Sequence, residues 1–203
     1  MKRKIKIGLT GGIASGKTTV STYAKEKGIR VIDADLVARD VLDRYPEILK
    51  YLKKQYGDLI FDNEILNRKK LGDLIFTDIK KRKEYEKVIM PFIIHDIEDK
   101  IKEFEKGPET LLIIDAALLF ENSLDKEMDF NILVYLDEKT QIKRILKRDK
   151  ISENQAIKRI ESQMTLEDKK MKSDFIIDNS GDREYSYTQF DKIIKEIKKR
   201  KKV

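Results

Sequence analysis

Apolar and polar positions along the chain follow two rhythms. Residues 5–9 alternate briefly and then run continuously apolar up to Gly11-Gly12, the pattern of a strand buried in a sheet. Residues 17–27 follow with helical spacing and stop at Gly28, a residue suited to closing a helix, and Arg30-Val31-Ile32-Asp33 is a second short strand. Strand, helix and strand within about 30 residues make a βαβ unit, which dictates parallel strands. Over residues 36–105 the spacing is helical almost throughout, with breaks expected near Pro46, Gly57, Asn67 and Thr77. Pro91 falls inside one long helical run and is expected to kink or divide it, because proline has no N–H to donate.

Gly107-Pro108 marks the return to strands. Residues 111–114 and 132–136 are uninterrupted apolar runs, as strands covered on both faces require. Residues 138–149 form a basic helix, Ser152-x-x-Gln155 reads as a capping box opening the next one, and residues 175–177 are a last short strand. A terminal amphipathic helix is expected from Ser186 onward. The fold class that follows is α/β: a five-stranded parallel sheet between helical layers, with a helical insertion after the second strand and a helical lid before the last. The expected division is a core of residues 1–35, 108–140 and 174–203, an insertion of residues 36–107, and a lid of residues 141–173.

Composition narrows the chemistry. A length of 203 residues suits one domain with a modest insertion. Lys and Arg outnumber Asp and Glu by 44 to 37, and the formal charge of +7 favours acidic partners such as phosphates, nucleic acid or anionic lipid without choosing among them. The absence of cysteine excludes disulfides, thiol nucleophiles and Cys-based zinc sites, and the single histidine, His95, excludes multi-His metal sites. The most apolar stretch, residues 111–120, is interrupted by Asp115 and is shorter than the ~18 residues of a membrane span. The opening apolar run ends at Gly11, so no signal peptide is expected and the expected location is cytoplasmic.

Gly11-Gly12-Ile13-Ala14-Ser15-Gly16-Lys17-Thr18 satisfies G-x-x-x-x-G-K-[ST] between the first strand and the first helix. Glycines let such a backbone curl so that successive N–H groups converge on phosphate oxygens at the positive end of a helix. Gly12, Ala14, Ser15, Gly16 and Thr19 are therefore expected to bind phosphate through this loop, Lys17 to reach the β- and γ-phosphates, and the Thr18 hydroxyl to ligate Mg²⁺. The pattern is that of a P-loop nucleoside triphosphate site. The chain lacks the N-K-x-D motif of a GTPase and the L-S-G-G-Q motif of a transporter ATPase. An insertion and an Arg-bearing lid suit a small-molecule kinase.

Two acidic positions belong to the same edge. Asp33-Ala34-Asp35 ends the second strand, where ligands of open α/β sheets sit. One carboxylate can orient or deprotonate an attacking hydroxyl while the other binds substrate or approaches the metal; Asp35 also suits a helix N-cap. Asp115 ends an apolar strand, where P-loop proteins place the acid that holds Mg²⁺.

Taken together, these segments resemble the dephospho-CoA kinase family. The resemblance is carried by GLTGGIASGKTTVS at residues 8–21, VIDAD at 31–35, RKKLGDLIF at 68–76, LLFENSLD at 118–125, QIKRILKRD at 141–149 and SDFIIDNSG at 173–181. It implies ATP-dependent phosphorylation of the ribose 3′-hydroxyl of dephospho-CoA, the last step of coenzyme A synthesis, with Mg²⁺. It implies that Asp35 is the base, that the insertion holds the acceptor, and that the lid closes over ATP. Arg144 and Arg148 lie four apart on one helix, and Arg144 is expected to meet the charge of the transferring phosphoryl group. Asn179 is expected near adenine, and Asp33, Arg39 and Arg68 on the acceptor side. The implied partners are small molecules, with no nucleic acid or membrane, on a monomer or weak homo-oligomer. The chain departs from the family pattern at Met90-Pro91, where His-Pro is usual, and at Ala116-Ala117 after Asp115. His95 is expected to be structural or at the surface.

Overall fold

The computed structural model describes residues 3–201, the side chain of Phe76 excepted. The expected core limits at residues 1 and 203 lie outside that range. In chain order the elements are β1 (Ile5–Gly11), α1 (Lys17–Glu26), β2 (Arg30–Asp33), α2 (Ala34–Arg44), α3 (Pro46–Tyr56), β3 (Phe61–Asp62), β4 (Ile65–Leu66), α4 (Arg68–Thr77) and α5 (Ile79–Lys106). They continue as β5 (Leu111–Asp115), β6 (Phe130–Tyr135), α6 (Glu138–Asp149), α7 (Glu153–Glu161), α8 (Leu166–Lys172), β7 (Phe175–Asp178) and α9 (Arg183–Lys201). The described residues divide into two compact units, one running to Asp33 and resuming at Phe104, the other spanning Ala34–Glu103.

The first unit is an α/β fold. Its sheet has five parallel strands in the order β2-β5-β1-β6-β7. Alternate residues of the central strands, Ile5, Ile7 and Leu9 with Leu111 and Ile113 and with Ile132 and Val134, bury one face against Val20 and Ala24 of α1 and Phe190, Ile194 and Ile197 of α9. Leu112, Ile114 and Leu133 are buried too, which explains why these strands read as continuous apolar runs. Helix α1 ends where the sequence signals it: Gly28 takes a left-handed φ of 75°, its N–H donates to Lys25 O at 2.9 Å, and the Ile29 N–H closes on Ala24 O at 3.0 Å. The chain leaves β1 on one side to reach β2 and later on the other to reach β6, so the carboxyl end of β1 is a switch point where α/β sheets bind ligands.

The second unit corrects the expectation of an almost wholly helical middle. Between α3 and α4 the chain forms a hairpin, with Phe61 opposite Leu66 and Asp62 opposite Ile65. Asn63 and Glu64 both adopt positive φ, 46° and 71°, the tight turn whose twist matches paired strands. The expected breaks at Pro46, Gly57, Asn67 and Thr77 all coincide with helix ends. Asn67 caps α4, its Oδ1 accepting from the Lys69 and Lys70 N–H groups at 3.0 Å each. Pro91 does not divide α5, which runs unbroken through it.

Candidate active site

The phosphate loop joins β1 to α1 through Gly12–Gly16, with Lys17 as the first helical residue. Ala14 and Gly16 are left-handed, with φ of 59° and 93°, and this alternation of hand curls consecutive N–H groups toward one point. Gly16 must be glycine on two counts: its φ, and a β-carbon there would collide with the Asn179 amide. The buried Ser15 hydroxyl has no hydrogen-bond partner among the described residues. It is a donor inside a loop built to receive oxygens.

Strand register supplies the charge beside this loop. Asp115 at the end of β5 pairs in register with Leu9 of β1 on one side and with Asp33 of β2 on the other. The Asp115 side chain is 2% exposed and forms an ion pair with Lys17 Nζ, itself 11% exposed. Cation and carboxylate thus meet in a largely desolvated position at the foot of α1. Thr18 and Thr19 lie in the first turn of α1.

Four side chains from distant elements end on the loop or its supports. Asn179, just past β7, is buried, and its Nδ2 donates to Ser15 O at 2.7 Å while its Oδ1 accepts from the Ser186 hydroxyl at 2.7 Å. The residue expected beside adenine therefore has its side chain committed to the phosphate loop. Arg144 of α6 donates to the Asn179 carbonyl at 3.0 Å. Gln141 of α6 donates to Ile13 O at 2.8 Å, and Gln163, just past α7, accepts from the Ile13 N–H at 3.1 Å. Both polar groups of one loop residue are thereby satisfied by glutamines. A cleft of about 460 Å³ opens beside them, lined by Gly12, Ile13, Gln141, Ile160, Gln163 and Leu166 among others.

Arg148 turns to its neighbour Asp149, at 2.7 and 3.1 Å, and Arg159 of α7 reaches the same carboxylate at 2.5 Å. The Arg148 hydrogen bond, aided by the charges of both arginines, holds the Asp149 carboxyl below the usual carboxylate range.

In the Ala34–Glu103 unit, Asp35 is exposed in the first turn of α2 rather than capping it, since the helix already begins at Ala34. Arg68, first residue of α4, chelates both oxygens of Asp43 at 2.8 Å and approaches the Arg39 carbonyl at 3.4 Å, so the two arginines expected on the acceptor side are neighbours. Asp96 is buried, accepting from Arg44 at 2.9 Å and from the Tyr45 hydroxyl at 2.6 Å. His95 is exposed, 3.5 Å from Asp99.

The sequence did not single out Gln141, Gln163, Glu121 or Lys169. Gln141 and Glu121 lie in two of the family-like segments, QIKRILKRD and LLFENSLD, whereas Gln163 lies in none. Lys169 lies in the run Glu167-Asp168-Lys169-Lys170-Met171-Lys172, where nothing separates a buried lysine from solvated ones.

Comparison with known proteins is consistent across sequence and structure. A family model described as dephospho-CoA kinase matches residues 5–184. Dephospho-CoA kinase of Clostridium perfringens is 47% identical over 191 residues, covering 94% of this chain and 96% of that protein. That of Arabidopsis thaliana is 38% identical over 195 residues, covering 95% and 84%. Among solved structures, dephospho-CoA kinase from Campylobacter jejuni superposes with a TM-score of 0.71 at 28% identity, covering 96% of this chain and 97% of that one.

Proposed function

The chain belongs to the dephospho-CoA kinase family, and from that premise we propose how its residues phosphorylate dephospho-CoA with ATP. The acceptor is the ribose 3′-hydroxyl. The curled loop from Gly12 to Thr19, with convergent amides and the buried Ser15 hydroxyl, binds the β- and γ-phosphates. Lys17 moves from its carboxylate partner toward the triphosphate and neutralises charge gathering on the transferring group. Arg144, fixed through the Asn179 carbonyl, supplies a second cation from the lid side.

Asp115 and Thr18 offer one carboxylate and one hydroxyl, and no cluster of three or more His, Cys, Asp or Glu suited to a metal occurs among the described residues. A donor set so sparse fits Mg²⁺, which keeps waters and takes most of its ligands from phosphate. When bound there, Mg²⁺ supplies neutralisation of phosphate charge. Asp35 orients the attacking hydroxyl and takes its proton; Asp33, Arg39 and Arg68 hold the acceptor. The same reading makes this a cytoplasmic enzyme acting on small molecules.

The observation that carries the reading is the Lys17–Asp115 pair beside a left-handed phosphate loop, on a chain whose full-length relatives are dephospho-CoA kinases. Transfer of label from γ-labelled ATP to a panel of dephospho-CoA, nucleosides and nucleoside monophosphates tests it, and preference for any acceptor other than dephospho-CoA would refute the substrate. Within the same assay Asp35→Asn is expected to lower turnover by about a hundredfold or more with nucleotide affinity unchanged. Undiminished turnover would remove Asp35 from the role of base.

A further inference from the structure

One buried cation takes no part in this chemistry. Lys169 of α8 is fully buried. An ammonium removed from water costs several kcal/mol unless its hydrogens are answered. Burial pushes its pKa below the ordinary lysine value, and the Glu121 carboxylate pulls the other way. Two acceptors answer it: Lys169 Nζ donates to the Ala117 carbonyl at 2.5 Å and lies 3.0 Å from Glu121 Oε1.

Both acceptors hold something else. The Ala117 carbonyl also accepts from the Thr10 hydroxyl at 3.3 Å, and Thr10 is the buried β1 residue directly before Gly11. Ala117 is two residues past Asp115, the partner of Lys17. Glu121 Oε1 also accepts from the Met164 N–H at 2.8 Å, and Met164 follows Gln163, which holds the Ile13 N–H. From one ammonium, short chains of contacts therefore reach the phosphate loop at its base and at its crest.

We propose that Lys169 is a positioning residue for the phosphate grip, tying α8 to the segment after β5 and, through Glu121, to the segment between α7 and α8 in one frame around the loop. A lysine suits the task because its head offers several donors from a single point, whereas an apolar residue could fill the space without linking the two segments. The backbone after Asp115 runs through Ala116-Ala117 with no proline ring to fix it, which makes that tie useful here. The inference rests on reading the chain as an ATP-dependent kinase.

The test compares the full chain with K169M and with K169M/E121M. The double variant replaces a buried ion pair by apolar side chains of similar length, an exchange that is often neutral or stabilising. Thermal unfolding followed by circular dichroism is expected to show the double variant folded, melting near the parent. In that variant the affinity for a fluorescent ATP analogue is expected to fall about tenfold and kcat/KM for ATP by about ten- to a hundredfold, as when the support of a site residue is removed. KM for dephospho-CoA is expected to stay within about threefold of the parent. Parental nucleotide affinity and parental kcat/KM in a folded double variant would overturn the proposal. So would a loss shared equally by both substrates, or a double variant that does not fold, because the lysine would then serve the fold alone. Nucleotide affinity needs no acceptor, so a parent that binds the analogue but does not phosphorylate dephospho-CoA defeats the substrate assignment and leaves the Lys169 comparison intact.

Discussion

Around the phosphate loop, side chains from α6, the α7–α8 connection, α8 and the turn after β7 end on backbone groups far away in sequence: Gln141 and Gln163 on Ile13, Asn179 on Ser15, Lys169 on Ala117. In the Ala34–Glu103 unit several polar pairs join nearer stretches of chain, as in Lys70 with Asp62, Arg82 with Glu86 and Arg68 with Asp43, while the buried Asp96 reaches back to Arg44 and Tyr45. That unit also leaves Leu59, Ile65 and Ile79 largely exposed. The difference follows from what each must hold. A triphosphate carries concentrated charge, and a loop that meets it with fixed dipoles saves reorganisation at the moment of transfer. Fixing an irregular backbone requires partners for its amides and carbonyls, and only side chains brought in by the fold can supply them.

The largest loss is expected at Gly16. Gly16→Val places a branched residue at φ 93° and drives it into the Asn179 amide. The strain and the lost clamp are expected to weaken nucleotide affinity by about a hundredfold or more. Titration with a fluorescent ATP analogue reads this directly, and a parental value would mean that the loop is not held in the way its geometry indicates.

A smaller loss is expected from Asn179→Ala, which strands the Ser15 carbonyl and the Ser186 hydroxyl. Leaving buried polar groups unpaired costs about 1–3 kcal/mol, and nucleotide affinity is expected to fall about tenfold. Urea unfolding and nucleotide titration together separate the effect on the fold from that on the loop; a change confined to stability would reduce Asn179 to a packing residue.

The least disturbance to the fold is expected in the other unit. Arg68→Ala removes an exposed pair with Asp43 and is expected to change unfolding free energy by about 1 kcal/mol or less. If Arg68 meets the acceptor, KM for dephospho-CoA rises several-fold while KM for ATP holds. An unchanged acceptor KM would remove Arg68 from the binding surface and leave its pair with Asp43 as a tie within that unit alone.

Much of this molecule is legible in one dimension. The glycine, lysine and threonine spacing after an apolar strand specifies a phosphate loop because each residue acts through its own backbone freedom or its own side chain. Helix limits at Pro46, Gly57, Asn67 and Thr77 are local matters of capping and missing donors, and they stand where those residues put them. The hairpin at residues 61–66 escaped because two-residue strands are too short for periodicity to register, although Asn63-Glu64 carried a turn signal. The order β2-β5-β1-β6-β7, the pairing of Lys17 with Asp115 and the burial of Lys169 were decided only by tertiary structure. Each depends on which distant segments share a neighbourhood, and a lysine in a charged run acquires its meaning only when water is taken away from it.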